Sequence, residues 1–398
     1  MKNKFFYMIL AVLYGQFSFA QTPKLFLINA DQLKAKKEAY QRKDKAVKPL
    51  VDLVVHKADA FLTAKPKSVM DKSSTPPSGS KHDYMSQAPY FWPDPSKADG
   101  KPYIRKDGER NPAIHQITDA VFLHNLTEQC QFLALAYYFT GQEKYALKAS
   151  ELLNAWFIAP ETKMNPNLNY AQAIPGVNDG RGIGIIESRS LVELADWIGI
   201  LANSKSITAS QTEGIKTWYK QYLDWMLTSK NGKDEHRSKN NHGTIYDTQI
   251  VSFALFTDQK ELAKKTITAS LERIALQITP EGEQPLELAR TKAYSYSTMN
   301  LNDGWFNLAL LGTHAEVDVW NYQTSDGRSI HKALDWLIPY GMGEKTKDRK
   351  QIIPYNTSEL YRLLTLAGTA YKNDSYFKQA EAIPKDKDTQ LIELLYKP

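Results

Sequence analysis

The sequence predicts an all-α chain built from antiparallel helix hairpins. Apolar residues recur at helical spacing in many separated segments, strand-type alternation is nearly absent, and short connections alternate with long ones. Periodicity alone leaves two arrangements open, a closed ring of hairpins and an open solenoid. No low-complexity linker interrupts residues 21–398, which are expected to form one domain.

Taken in order, residues 31–64 are helical, with Leu50, Leu53, Val54 and Ala58 on one face. The chain then changes character. Pro66, Pro76, Pro77 and Gly79 break the pattern, and an aromatic, proline-rich run follows over 84–95. A loop of this length is commonly functional. Its Tyr84, Tyr90, Phe91 and Trp92 would either stack on sugar rings or pack the loop itself. Helical periodicity returns over 116–138 and 142–156, separated by Gly141. A second irregular stretch, 160–182, carries Asn165, Asn167, Asn169, Tyr170, Gln172 and Arg181, which read as ligands or as turn formers. Further helices are expected over 185–201, 210–228, 248–257, 259–277, 299–312, 330–339 and 358–371.

Lys2, Lys4, an apolar run over 5–14 and Ser18-Phe19-Ala20 form the pattern of a secretory signal peptide over residues 1–20, cleaved after Ala20. The mature protein is therefore expected in the periplasm or outside the cell, without a membrane anchor. Its one cysteine, Cys130, lies in an apolar helical segment and reads as a buried small hydrophobe. The formal charge of +6 fits an acidic partner. Basic blocks interleaved with aromatics are missing, which excludes a nucleic-acid binder. The eight histidines show no ligand spacing, and no phosphate loop, nucleophile elbow or paired-cysteine motif is present, so neither metal nor cofactor is expected.

Two clusters remain. Ser238-Lys239-Asn240-Asn241-His242-Gly243-Thr244 reads as a helix start with polar groups gathered ahead of an apolar run. About fifty residues on come Glu287, Arg290, Tyr294 and Tyr296. Asn, His, Arg and Tyr together can neutralise a carboxylate and remove the proton beside it, as elimination at C5 of a uronic acid requires. A tyrosine is a weak base at its usual pKa of about 10, so Arg290 and His242 are expected to favour the phenolate. The plainer alternatives are an Arg290–Glu287 surface pair and tyrosines that only fill the core. Asn125, an amide among apolar helical residues, must also find a partner.

Tyr84-Met85-Ser86, Pro89-Tyr90-Phe91-Trp92-Pro93, Met164-Asn165-Pro166-Asn167-Leu168-Asn169-Tyr170-Ala171-Gln172, Asn240-Asn241-His242 and Glu287-Leu288-Ala289-Arg290 with Tyr296 resemble the alginate lyase domain family. The likeness is to polysaccharide lyase family 38 and, more distantly, to family 5. It implies an (α/α) toroid or incomplete barrel and β-elimination on an acidic polysaccharide without a metal. By this resemblance Asn241, His242, Arg290 and Tyr296 are the catalytic set, with Tyr296 as base and acid and Asn125 as a further neutraliser of charge. Substrate contacts are expected from Tyr84, Tyr90 and Trp92, from Asn167, Asn169, Tyr170, Gln172 and Arg181, and from Lys239 and Asn240. Gly243-Thr244 departs from the Ser-aromatic pair that follows the histidine in family 5. Mannuronate-rich alginate is the expected substrate. β-1,4-Glucuronan, a non-catalytic uronan-binding role and a two-carboxylate glycoside hydrolase are the rival readings.

Overall fold

The computed structural model describes residues 23–398; the expected signal peptide and its cleavage site lie outside them. The helices are α1 (Ala30–Gln41), α2 (Val47–Phe61), α3 (Asp119–Thr140), α4 (Glu143–Phe157), α5 (Leu191–Leu201), α6 (Ala209–Thr228), α7 (Lys230–His236), α8 (Asn241–Phe256) and α9 (Lys260–Ser270). They continue through α10 (Glu272–Gln277), α11 (Pro285–Leu288), α12 (Ala293–Met299), a π-helical turn (Asn300–Phe306), α13 (Asn307–Ala315), α14 (Ile330–Gly341), α15 (Glu359–Ala370), α16 (Asp374–Glu381) and α17 (Lys387–Tyr396).

Packing closes these into a ring of hairpins, which settles the choice between ring and solenoid. α2, α3, α5, α8, the π turn, α15 and α17 follow one another as neighbours, and α17 returns to α2. Helices α4, α9 and α16 pair with α3, α8 and α15 respectively. One buried apolar cluster runs through the chain from Leu25 to Tyr396 and contains Cys130, whose thiol burial pushes far up.

Several boundaries differ from the sequence reading for identifiable reasons. The pattern over 31–64 is two helices, because Lys43 takes a left-handed φ of 60° and Asp44 caps α2 through the Ala46 and Val47 N–H groups. Helix α8 begins at Asn241 rather than near residue 248. Every residue of it except His242 is buried. A helix buried on all sides shows no apolar stripe, so its polar first half leaves no periodic signal. Helices α7 and α16, short and largely polar, and α17, half apolar, also lie outside the segments read from sequence.

The two irregular loops carry the strands, β1 (Met85–Gln87), β2 (Phe91–Trp92), β3 (Ile104–Arg105) and β4 (Tyr170–Ala173). β1 pairs in parallel with β4, with Met85 opposite Tyr170, and β2 pairs antiparallel with β3. The loops thus hold each other. Among the described residues no helix is long and apolar enough to cross a membrane.

The first described segment is tied to the ring by one carboxylate. Asp196 in α5 accepts the N–H groups of Phe26, Leu27 and Ile28 at 2.7, 2.9 and 3.0 Å. Gly199, one turn on, allows the approach, since a Cβ there would stand 2.3 Å from the Lys24 carbonyl. Asp196→Ala would strand three buried donors, each costing about 1–3 kcal/mol. We expect it to lower the unfolding free energy by about 3 kcal/mol or more, read from denaturant melts against wild type.

Candidate active site

A cleft of about 820 Å³ lies between the paired loops and the start of α8. Asn241 and His242 reach it from the start of α8, Asn240 from the capping position just before it, Arg290 from the turn after α11 and Tyr296 from α12. Tyr90, Phe91 and Arg105 line it from the first loop, Gln172 and Arg181 from the second. The Asn–His and Arg–Tyr pairs, separate in sequence, therefore share one cavity.

His242 is the one α8 residue left accessible. Its Nδ1 lies 2.7 Å from Oε1 of Glu235, a buried residue of α7. A carboxylate oxygen accepts, so Nδ1 carries a proton, and Nε2 is the ring nitrogen left to the cleft. Gly243 follows because a Cβ there would meet the Ser238 carbonyl at 2.1 Å and the Arg273 guanidinium at 2.5 Å. That crowding accounts for the departure from the Ser-aromatic pattern.

Asn241 is buried, and its backbone N–H donates to Glu287 Oε1 at 2.7 Å. The other oxygen of each residue, Asn241 Oδ1 and Glu287 Oε2, is buried with no hydrogen-bond partner. Burial pushes the Glu287 carboxyl up to about 7, against the pull of the Asn241 N–H, Arg290 and His242.

Arg290 does not pair with Glu287 on a helix surface. Its Nη2 donates to Asp107 Oδ1 at 3.0 Å and its Nε reaches both carboxylate oxygens at 3.2–3.3 Å. Thr291 adds its N–H and hydroxyl to Asp107. Burial opposes ionisation of Asp107, but these donors hold its carboxyl well below the usual range. The guanidinium lies 4.3 Å from the centre of the Tyr296 ring, a contact of about 0.5–2 kcal/mol.

The Tyr296 phenol donates to the Tyr90 hydroxyl at 2.8 Å. Burial, then that bond, push it well above the ordinary tyrosine value, and Arg290 pulls the other way without prevailing. Arg290 thus acts in the expected direction, toward the phenolate, but burial and the Tyr90 bond outweigh it and favour the neutral phenol. Tyr294 is the core aromatic, fully buried and stacked on Trp336.

Several residues expected to contact substrate lie off the cleft lining. Tyr84 is buried and donates to Glu187 Oε2 at 2.8 Å, so it positions a cleft residue without lining the cleft. Trp92 lies off the cleft lining, bonded to the Glu109 carbonyl and packed under Lys106. Asn167, with Asn165, holds Asp83. Asn169 accepts from Trp225, and Tyr170 begins β4. The Lys239 carbonyl is held by Gln277 and its side chain is exposed. On α3 it is His124, not Asn125, that lines the cleft.

Gln172 and Arg181 do line it. Gln172, at a left-handed φ of 51°, takes the Arg181 Nη2 on its amide oxygen at 2.9 Å and bonds Glu187. Burial lowers the Arg181 pKa, and the neighbouring Arg105 lowers it further. Sequence reasoning missed Glu235, Asp107 and Glu187, whose one signal was that a half-buried histidine, arginine and glutamine each need a partner. Five arginines (Arg105, Arg110, Arg181, Arg189, Arg290) face three carboxylates (Glu187, Glu193, Asp303) in the lining, a balance that favours an anionic ligand. Among the described residues no three His, Cys, Asp or Glu side chains are grouped to hold a metal ion.

A helical toroid whose cleft gathers Asn, His, Arg and Tyr is the architecture of a polysaccharide lyase. The comparisons with known proteins agree. Residues 68–347 match the family model described as alginate lyase, and the chain belongs to that family. It is 40% identical to an alginate lyase from Bacteroides ovatus, with 94% of this chain and 99% of that one covered at a TM-score of 0.90. Alginate lyase A1-III, as a histidine variant complexed with a tetrasaccharide, is 15% identical, with 96% of this chain and 99% of that one covered at a TM-score of 0.61. The structure of A1-III from Sphingomonas species A1 is 14% identical, with 86% and 94% covered at a TM-score of 0.55. These two bear on the fold alone. No curated protein matches the chain. It is thus a polysaccharide lyase of the alginate lyase family.

Glu235→Leu would release His242 while leaving the cleft lining in place. We expect turnover on alginate to fall at least about tenfold, the scale of a misplaced reacting group, with KM little changed. Initial rates of unsaturated product formation measure both.

Proposed function

We propose that this lyase cleaves the mannuronate-rich part of alginate by syn β-elimination without a metal, leaving 4,5-unsaturated uronate ends. The observation that carries the reading is the convergence of Asn241, His242, Arg290 and Tyr296 on one arginine-rich cleft. Asn241 and Arg290 neutralise the uronate carboxylate, which makes the C5 proton acidic. In β-D-mannuronate that proton and O4 lie on the same face of the ring, so one phenol reaches both. The Tyr296 oxygen takes the C5 proton as its own proton passes to O4. The C4–O4 bond breaks, C4=C5 forms, and the phenol ends neutral as it began. The neutral phenol that burial and Tyr90 maintain supports this concerted exchange over a free phenolate. His242, anchored through Nδ1 by Glu235, completes the neutralising set through Nε2 when that nitrogen carries a proton. The signal-peptide pattern of residues 1–20 supports action in the periplasm or outside the cell.

Tyr296→Phe keeps the ring and its contact with Arg290. It is expected to lose about two to four orders of magnitude in turnover while mannuronan binding survives, since one hydroxyl contributes about 1 kcal/mol. Absorbance of the new double bond gives the rate and calorimetry the binding. Near-normal turnover would remove Tyr296 from the chemistry and make His242 the base.

Polymannuronate, polyguluronate and β-1,4-glucuronan should be compared under the same conditions after exhaustive chelation. Polymannuronate is expected to be cut fastest, with no loss on chelation. A preference for polyguluronate, whose C5 proton and O4 lie on opposite faces, would contradict the single-phenol scheme. Faster cleavage of glucuronan would keep the scheme and change the substrate.

A further inference from the structure

Two buried glutamates stand behind the Asn–His pair, and they are not equivalent. Glu235 bonds the His242 side chain. Glu287 bonds only the main chain of Asn241, and each of these two residues keeps one buried oxygen with no partner. If Glu287 is ionised, Oε2 and Oδ1 are both acceptors and neither can satisfy the other. A buried acceptor without a donor is costly, and two on residues already joined by a 2.7 Å bond call for one explanation. A single proton on Oε2 supplies it.

We propose that Glu287 is a positioning residue that, in its neutral form, donates from Oε2 to Asn241 Oδ1 and so fixes the amide with Nδ2 turned into the cleft. The inference rests on the reading of Asn241 as a donor to the uronate carboxylate. Among the described residues Nδ2 has no protein acceptor, and Asn241 lines the cleft. Were the amide reversed, its oxygen would meet the substrate carboxylate, acceptor against anion. The proton on Glu287 therefore decides which end of the amide the substrate meets.

The charges around Glu287 set when this proton is held. Arg290, on the same segment, and His242, from α8, favour the ionised form, and burial outweighs them and lifts the carboxyl to about 7. Asp107 engages Arg290, Tyr296 lies against its guanidinium, and Glu235 engages His242, so both cations are already partnered. The neutral form is the competent one, so activity is present on the acid side and falls as pH rises through this value. A bound uronate adds negative charge nearby and favours the neutral carboxyl. The alkaline fall should therefore come earlier in kcat/KM, which reports the free enzyme, than in kcat.

Glu287→Gln places a permanent donor where the carboxyl holds its proton and keeps an acceptor for the Asn241 N–H. Glu287→Leu offers neither. On polymannuronate the glutamine variant is expected to keep kcat within about threefold of wild type. Its alkaline fall in kcat/KM should vanish or move up by about one pH unit or more. The leucine variant should lose at least about tenfold in kcat/KM, chiefly through KM. A glutamine variant as slow as the leucine one, with wild-type thermal unfolding, would overturn the proposal, as would an alkaline limb that does not move.

Infrared difference spectra decide the same question without turnover. Asp196 and Glu359 are also raised to about 7, so the band to follow is the neutral-carboxyl carbonyl component of wild type at neutral pH that is lost at alkaline pH and that Glu287→Gln removes. Absence of that band in wild type from acidic to neutral pH would refute the assignment. A wild-type protein that cuts no uronan but shows the band would instead refute the proposed function and leave the protonation of Glu287 standing.

Discussion

A helix buried on every side has no solvent to meet its polar groups, and α8 carries several in its first half. Each is met from another part of the ring. The Thr244 hydroxyl bonds Gln277 of α10, Asp247 takes Ser270 and Arg273 from and beside α9, Thr248 reaches the Gly304 carbonyl in the π turn, and Gln249 accepts from Ser188. Breaking any of these leaves a buried group unpaired, so the neighbours cannot slide past α8 without loss. The Asn241–His242 pair inherits its placement from this requirement. The site is rigid because the helix beneath it has no freedom to turn.

The loops are held by a different force. Asp107 lies far from Arg290 in sequence, yet a guanidinium, an N–H and a hydroxyl all converge on its carboxylate. That one contact joins the loop bearing Tyr90 and Arg105 to the segment bearing Arg290 and Glu287, and so brings the Tyr90 hydroxyl to the Tyr296 phenol. It also saturates one side of Arg290, leaving the rest of the guanidinium to meet the ring and the cleft.

The residues that meet in the cleft were legible because Asn241-His242 and Arg290…Tyr296 are local pairs, each read from a few adjacent positions. Their supports were not, since Glu235, Asp107 and Glu187 look like any surface carboxylate until the fold buries them. Aromatic density in the first loop was real but spoke to two jobs at once. Tyr90 and Phe91 face the cleft, while Tyr84 and Trp92 fix the loop, a division that the irregular spacing of this segment does not encode. Asn125 stays off the lining while its neighbour His124 reaches it, because one residue along a helix is about 100° of rotation. The ring itself follows from amphipathic helices wherever one face meets solvent, and the reading weakens where burial is complete, as at the start of α8.

The π turn over Asn300–Phe306 separates α12, which carries Tyr296, from α13. Such a turn is what an α-helix becomes when one residue is inserted and the flanking turns keep their registers. The extra residue is a phase adjuster. It lets Tyr296 keep its bearing on the cleft while α13 keeps its seat against α8 and α9, two angular settings that one regular helix would lock together. Deleting one residue from this stretch would restore an unbroken helix and force one of the two settings to give way.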